Sequence, residues 1–278
     1  MLETKKVLFI GAGSMAEAIA AGMVNQDKLP PSNIMMTNKQ NEERRIELMK
    51  KYKVIALPYS EVRVQEADLI ILAMKPKDAE KALIELKPKL KPDQIVLSVL
   101  AGISTGFMEE ILPDEQPVIR VMPNTSSTIG ESITAVTGGQ SVTMEHIEIA
   151  KELFSAIGRV KVIEEEQMDV FTGIAGSGPA YIYYVLEHIE KTAQAEGLDE
   201  DLAREIAAQT VFGASKMVLD TNASPESLRK KVTSPNGTTA AGLDALRENE
   251  AGQAFTKAII SAKDRSAEIR KEFEKVSV

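Results

Sequence analysis

Residues 7–23 read 7-VLFIGAGSMAEAIAAGM-23, and their order decides the fold of the first half of the chain. An apolar run passes straight into Gly11-x-Gly13-x-x-Ala16 and then into an Ala-rich helical stretch. Strand, glycine turn and helix in that order open a βαβ unit whose turn cradles a pyrophosphate. Gly11 permits the tight turn, Gly13 lets the backbone approach the phosphates, and Ala16 lets helix and strand pack closely. Ala12, Ser14 and Met15 complete the loop and the first helical turn, whose N–H groups point at the anion. The plainer reading, a small-residue turn in an α/β protein, leaves this combination unexplained.

Working outward, the pattern repeats. Strand expectations fall at 6–10, 34–37, 54–57, 69–73, 95–99, 118–122 and 133–137, and the last strand-like run is 160-VKVIEEE-166. Runs such as 69-LIILA-73 are apolar on both faces, as in strands covered by helices on both sides. Helical stretches at 14–25 and 41–52 lie between them, so a parallel α/β sheet is expected. Beyond residue 168 the elements are long helices, about 179–196, 199–221, 238–248 and 251–275, with 197-GLDE-200 marking a stop followed by an Asp cap. The boundary is placed near residue 164.

Composition narrows the function. The 278 residues carry a formal net charge of −8, which argues against general nucleic-acid binding. No apolar run reaches the length of a membrane span, and the N-terminal segment lacks a signal-peptide cleavage site, so a cytoplasmic protein without a membrane partner is expected. Absence of cysteine excludes thiolate catalysis and disulfides, and two histidines make a metal cluster implausible, so no metal is expected.

The second strand ends in 36-MTNKQNEERR-45. An acidic side chain at that point would bind a free ribose and repel a 2′-phosphate; Asn38 and Lys39 favour the phosphate, and hence NADPH, with NADH still admissible. Arg44 and Arg45 read equally well as phosphate partners or as a solvated helix face. Three later strand ends face the same rim: Ala73, Met74, Lys75 and Pro76; Val99, Leu100 and Ala101; and Pro123 with Asn124. Small and rigid residues there suit a flat nicotinamide ring, although each could serve as an ordinary turn.

A different puzzle sits in the helical half, where 233-TSPNGTTAAGL-243 crowds Ser, Asn and Thr around Pro235 and Gly237. A carboxylate is well held by N–H groups at a helix start, aided by hydroxyls. A capped turn between helices fits the residue types equally well.

Taken in order, GAGSMAEAI, AMKP, SVLAG, RVMPNT, 175-AGSGPAYIY-183 and KVTSPNGTTAAGL resemble the motifs of the pyrroline-5-carboxylate reductases, over nearly the whole chain. The resemblance implies an α/β Rossmann-type parallel sheet domain (1–164, NADP-binding) followed by an all-α helical dimerisation domain (165–278). It implies hydride transfer from NADPH to 1-pyrroline-5-carboxylate, giving L-proline at the end of proline biosynthesis. Thr239 would bond the substrate's ring nitrogen, while Ser234, Gly237 and Thr238 cradle its carboxylate. Ser60 would lie beside the adenosine, and the helix start at Gly176, Gly178 and Pro179 would complete the pocket. Neither His146, expected on an amphipathic surface helix, nor His188, expected to pack, falls in a motif.

The resemblance also implies a homodimer, from which relatives can build larger rings; 206-IAAQTVFGASKMVL-219 is apolar on more than one face, as a subunit interface requires. Departures from the family pattern fall at Lys39, Ser60, Ser126-Ser127 and Lys231, and they touch cofactor preference more than activity. A β-hydroxyacid dehydrogenase would need a catalytic lysine early in the helical half, where Lys191 lies a turn too far along. A non-catalytic dinucleotide-binding regulator would be expected to have lost Gly237 or Thr239, and both are present.

Overall fold

The computed structural model describes residues 2–274, which divide into two compact units: one runs to Gly176 and resumes at Ser261, the other is Ser177–Ile260. This division by packing differs from the sequence boundary at 164. The segment after the last strand stays with the first unit through a short helix and a π-helical turn, to Gly176, and the final helix returns to it from Ser261.

The first unit is built on eight strands: β1 Val7–Ile10, β2 Ile34–Asn38, β3 Ile55–Pro58, β4 Leu69–Leu72, β5 Ile95–Ser98, β6 Val118–Met122, β7 Ser132–Gly138 and β8 Gly158–Val162. Their order is β3-β2-β1-β4-β5-β6-β7-β8. Every neighbouring pair is parallel except β6 and β7, which run antiparallel, so the expected parallel sheet carries one antiparallel pairing. The physical reason is the connection: the short link between β6 and β7 holds only a single 3-10 turn, Thr125–Ile129, too little chain for a crossover.

Helices α1 Ser14–Asn25, α2 Glu42–Tyr52, α3 Ala79–Leu86, α4 Thr105–Ile111 and α5 Met144–Phe154 clothe this sheet. Side chains alternate across a strand, so Val7 and Phe9 join one core with Ile19, Met23 and Phe154, while Leu8 and Ile10 join the other with Leu72, Leu83 and Phe107. Double-sided burial is why these strands read as continuous apolar runs. Each such side chain contributes about 1.5–3 kcal/mol when fully buried.

A short helix α6, Met168–Phe171, leads through a π-helical turn, Thr172–Gly176, into the second unit. That unit holds α7 Gly178–Ala195, α8 Glu200–Thr221, α9 Pro225–Lys231, α10 Thr238–Glu248 and the start of α11 Ala251–Glu274. Asp199 caps α8 through Asp201 N and Leu202 N, at 3.0 and 3.3 Å. Lys275, expected to end α11, lies outside the described residues. The unit buries little of its own apolar surface: on α8 Ala203 and Ala207 are covered, while Leu202, Ile206, Phe212 and Leu219 are 46–61% exposed. A helix surface of that character is built for another protein surface.

In the first unit the returning end of α11 is tied down by charge. Arg270 donates to Asp169 Oδ2 at 3.2 Å, and Ser266 Oγ donates to Asp169 Oδ1 at 2.8 Å. Arg120, in the 120-RVMPNT-125 motif, is fully buried on β6 and pairs with Glu165.

Candidate active site

Strand order reverses beside β1, and ligands of such sheets bind outside the carboxyl ends of the strands at that point. A cleft of about 680 Å³ opens there. Gly11 stands at its base with φ +120°, its N–H donating to Thr37 O at 2.9 Å. A Cβ on Gly11 would lie 2.3 Å from Ala73 O, so the loop is wedged against the end of β4. Gly13 differs: a Cβ there would meet nothing within 4 Å. The open space beside Gly13 is the cleft itself. No side chain caps α1, and Glu17 N→Gly13 O at 2.9 Å is its first closing bond, so the first-turn N–H groups have no partner within the helix. That cradle fits a pyrophosphate.

At the end of β2, Asn38 is fixed on three sides. Its Oδ1 accepts from Asn41 N at 3.0 Å and Arg45 Nη1 at 2.9 Å, while its Nδ2 donates to Asn41 O at 3.0 Å. Arg45 is partly buried, holds Asn38, and is not among the residues that line the cleft. Arg44 lines the cleft, but its Nε donates to Ala12 O at 3.0 Å, and its other nitrogens pair with Glu47 and Glu17. It braces the glycine loop against α2. Lys39 is an exposed lining residue that takes part in none of the ion pairs among the described residues. Of the three cations raised by the sequence, Lys39 is the one that both lines the cleft and has no ion pair among the described residues; Arg45 has none either but is not among the lining residues.

Glu17 is a carboxylate in the first turn of the helix meant to face an anion, which only makes sense with its charge neutralised. Partial burial opposes its ionisation, but hydrogen bonds from Arg44, Lys51 and Tyr52 prevail and hold its carboxyl at about 2. A folded value below the ordinary 4.5 means that its stabilisation is complete above that pH and is lost as pH falls toward about 2. Glu17→Gln is expected to flatten the acid limb: between about pH 5 and pH 2.5 the wild type should lose roughly 2–3 kcal/mol more unfolding free energy than the variant. Denaturant titrations of both proteins across that range check it; parallel losses would mean the cluster is not coupled to folding.

Two hydroxyls missed by sequence reading also line the cleft. Thr37 Oγ1 and Tyr59 OH are buried without a hydrogen-bond partner, two of the four such side-chain atoms among the described residues. Orphaned polar atoms converging on one cleft fit a polar ligand.

Of the sequence-derived cofactor residues, Gly11, Ala12, Gly13, Ser14, Met15, Asn38, Lys39, Ala73, Met74 and Lys75 line this cleft together. Ala16 is buried beneath it in the core, in keeping with its packing role. Ser60, Pro76, Val99, Leu100, Ala101, Pro123 and Asn124 are not among the lining residues. Leu100 is part of the core. Asn124 accepts from Ser126 N at 3.1 Å and donates to Ala175 O at 3.0 Å, a hold on the backbone.

In the second unit, Ser234 to Gly237 make a tight turn closed by Gly237 N→Ser234 O at 3.1 Å, with Asn236 left-handed at φ +56°. Gly237 is then the N-cap of α10, with no side chain capping the helix. Ser234, Thr238 and Thr239 are exposed, so three hydroxyls and a bare helix N-terminus sit together. A threonine does not cap this helix: the cap position is Gly237, and no side chain caps it. A wider groove of about 1000 Å³ between α7, α10 and α11 is almost wholly apolar. His188, expected to pack, is instead exposed in that groove, its Nδ1 2.9 Å from Tyr184 O. His146 caps α5 reciprocally with Thr143, and Lys191 is paired with Glu187 at 2.6 Å.

The family model described as pyrroline-5-carboxylate reductase dimerisation matches residues 165–269, and one described as NADP oxidoreductase coenzyme F420-dependent matches residues 6–102. Pyrroline-5-carboxylate reductase 1 of Bacillus subtilis (strain 168) is 51% identical over 277 residues, covering 100% of this chain and 93% of the relative. The enzyme of that name from Arabidopsis thaliana is 39% identical over 267 residues, 96% of each chain. Among solved structures, pyrroline carboxylate reductase of Plasmodium falciparum with NADP bound superposes with a TM-score of 0.88 at 27% identity, over 97% of this chain and 100% of that one. A pyrroline-5-carboxylate reductase from Coxiella burnetii gives 0.87 at 30% identity, over 96% and 99%.

Proposed function

The chain belongs to the pyrroline-5-carboxylate reductase family, and on that premise we propose that it reduces 1-pyrroline-5-carboxylate to L-proline with NADPH, closing proline biosynthesis. The observation that carries this reading is 51% identity to a reductase of that name along the full length of the chain, with the Gly11-x-Gly13 loop and the Ser234–Thr239 turn both present.

The dinucleotide supplies the hydride. The protein supplies position and electrostatics. Its glycine loop and the N-terminus of α1 hold the pyrophosphate, and Asn38 and Lys39 receive the 2′-phosphate end. Asn38, locked by Asn41 and Arg45, offers an amide in fixed orientation where an acid would repel that phosphate. Ser234, Gly237 and Thr238 take the substrate's carboxylate at the start of α10, where the helix dipole favours an anion. Thr239 Oγ holds the ring nitrogen: it accepts from the N–H of the protonated imine, and it can donate to the amine lone pair formed once C5 has received hydride. An iminium is already electrophilic, so no strong general acid is needed, in keeping with two histidines occupied in a helix cap and an apolar groove.

A homo-oligomer, with a dimer as the minimum unit, is supported by the dimerisation family match over residues 165–269, within which Leu202, Ile206, Phe212 and Leu219 of the second unit are exposed. Assembly of dimers into a ring, and residence in the cytoplasm, belong to the same proposal; no helix among the described residues is long and apolar enough to cross a membrane.

The purified protein should consume NADPH when given 1-pyrroline-5-carboxylate, faster than NADH at equal concentration, with proline as product. Light scattering should give the mass of at least two chains. Dinucleotide binding without turnover would favour the regulator reading, and a monomer would overturn the assembly.

A further inference from the structure

We propose that Tyr59 and Glu85 recognise the adenine base of the dinucleotide, the Tyr59 hydroxyl donating to a purine ring nitrogen and the Glu85 carboxylate accepting from the 6-amino group. The inference rests on the dinucleotide reading and deepens it by naming what sets the base specificity.

Topology gives the placement. The adenosine ribose of a dinucleotide lies at the end of β2 in this fold, so the base extends from there toward β3 and α3. Pro58 is in register with Asn38, which puts Tyr59 one residue beyond the strand ends, on the same rim. Glu85 comes from α3, and both residues line the cleft that contains the glycine loop. Ser60, the neighbour that the sequence pointed to, is exposed and not among the lining residues.

The chemistry gives the ligand. Tyr59 OH is buried and makes no hydrogen bond, an arrangement that proteins avoid unless a partner arrives. Burial pushes its phenol above the ordinary value, and the Glu85 charge pushes it further in the same direction. It therefore stays protonated, and a proton is available to donate. Lys89 Nζ lies 5.1 Å from the centre of its ring, a cation–π contact that occupies one face. Glu85 is half-buried, and its one ion pair among the described residues, to Lys81, is a long 4.0 Å, so its carboxylate retains accepting capacity. One donor beside one acceptor complements adenine, which offers ring-nitrogen acceptors beside an amino donor. Hypoxanthine carries a 6-oxo group instead, which would set oxygen against the Glu85 carboxylate.

The test is equilibrium binding of NADPH and of its reduced hypoxanthine analogue, read from nicotinamide fluorescence, with no substrate present. Wild type should bind the analogue about tenfold or more weakly than NADPH. Glu85→Gln, whose carboxamide can turn its N–H toward a 6-oxo group, should shrink that gap to about threefold or less. Tyr59→Phe, which keeps the ring, should weaken NADPH about fivefold or more, yet leave reduced nicotinamide mononucleotide unaffected, since that ligand has no adenine. Equal binding of both dinucleotides by wild type, or undiminished NADPH binding by Tyr59→Phe, would overturn the proposal. Failure of wild type to bind NADPH at all would overturn the dinucleotide reading and this inference with it.

Discussion

Valine at position 13 is expected to leave the protein folded and to raise its dissociation constant for NADPH about a hundredfold or more. The backbone permits the change: Gly13 has φ −76° and ψ −176°, a conformation any residue adopts. Nothing within 4 Å meets a Cβ there, so the fold loses no contact. The space that the side chain would occupy is the approach to the first-turn N–H groups of α1. Each charge-assisted bond from those groups to a phosphate oxygen is worth about 1.5–3 kcal/mol, and losing two of them removes about 3–6 kcal/mol of binding. Alanine at position 11 should do the opposite. Its Cβ would stand 2.3 Å from Ala73 O at φ +120°, so the loop must shift and stability should fall by about 3 kcal/mol or more. Thermal melting and fluorescence titration of the two variants separate these effects. A Gly13→Val protein that binds NADPH like the wild type would remove the phosphate from this loop.

That contrast shows why the loop was legible in the sequence and its surroundings were not. A phosphate demands absence of side chains at fixed spacing, and absence is visible as glycine. Thr37, Tyr59 and Glu85 carry no such mark, because a threonine in a strand, a tyrosine after proline and a glutamate on a helix are ordinary in those places. Only the tertiary fold makes them conspicuous, by burying the Thr37 and Tyr59 hydroxyls without a partner and by setting Glu85 on the cleft wall, and it prefers Tyr59 to its neighbour Ser60. Arg44 and Arg45 were ambiguous for the same reason. Their partners, Ala12, Glu17 and Asn38, lie on other elements, and no local spacing reveals them.

Architecture followed a similar division. Both faces of β1 and β4 are buried, so their apolar runs announced themselves. The direction of β7 did not, because alternating residues read the same either way, and only the short link after β6 forces the reversal. Helix α9 was missed because 225-PESLRKK-231 is too short and charged for an apolar stripe. The return of α11 to the first unit rests on Asp169, Arg270 and Ser266, a partnership across a hundred residues of sequence.

Loss of the Thr239 hydroxyl is expected to lower kcat/KM for 1-pyrroline-5-carboxylate at least about tenfold, about 1.4 kcal/mol of transition-state stabilisation, with NADPH affinity unchanged. The turn is prepared to present it. A Cβ on Gly237 would fall 2.4 Å from Ser234 Oγ, so that hydroxyl already sits over the start of α10, and Asn236 sustains the left-handed bend. Thr239 follows one residue inside the helix and exposed, able to reach a ligand whose carboxylate is held at the helix start. Holding both ends of a small ring fixes the face and the distance at which C5 meets the hydride, and a ring free to rotate loses that alignment. Valine is the informative replacement because it keeps the shape of threonine. If Thr239 served only to start the helix, Thr239→Val would move the melting temperature and spare the kinetics. Ser234→Ala and Thr238→Val should instead act mainly through KM, since they weaken the grip on a carboxylate that is unchanged between ground and transition states. Full activity in Thr239→Val, with KM and kcat both intact, would move the ring nitrogen away from this turn.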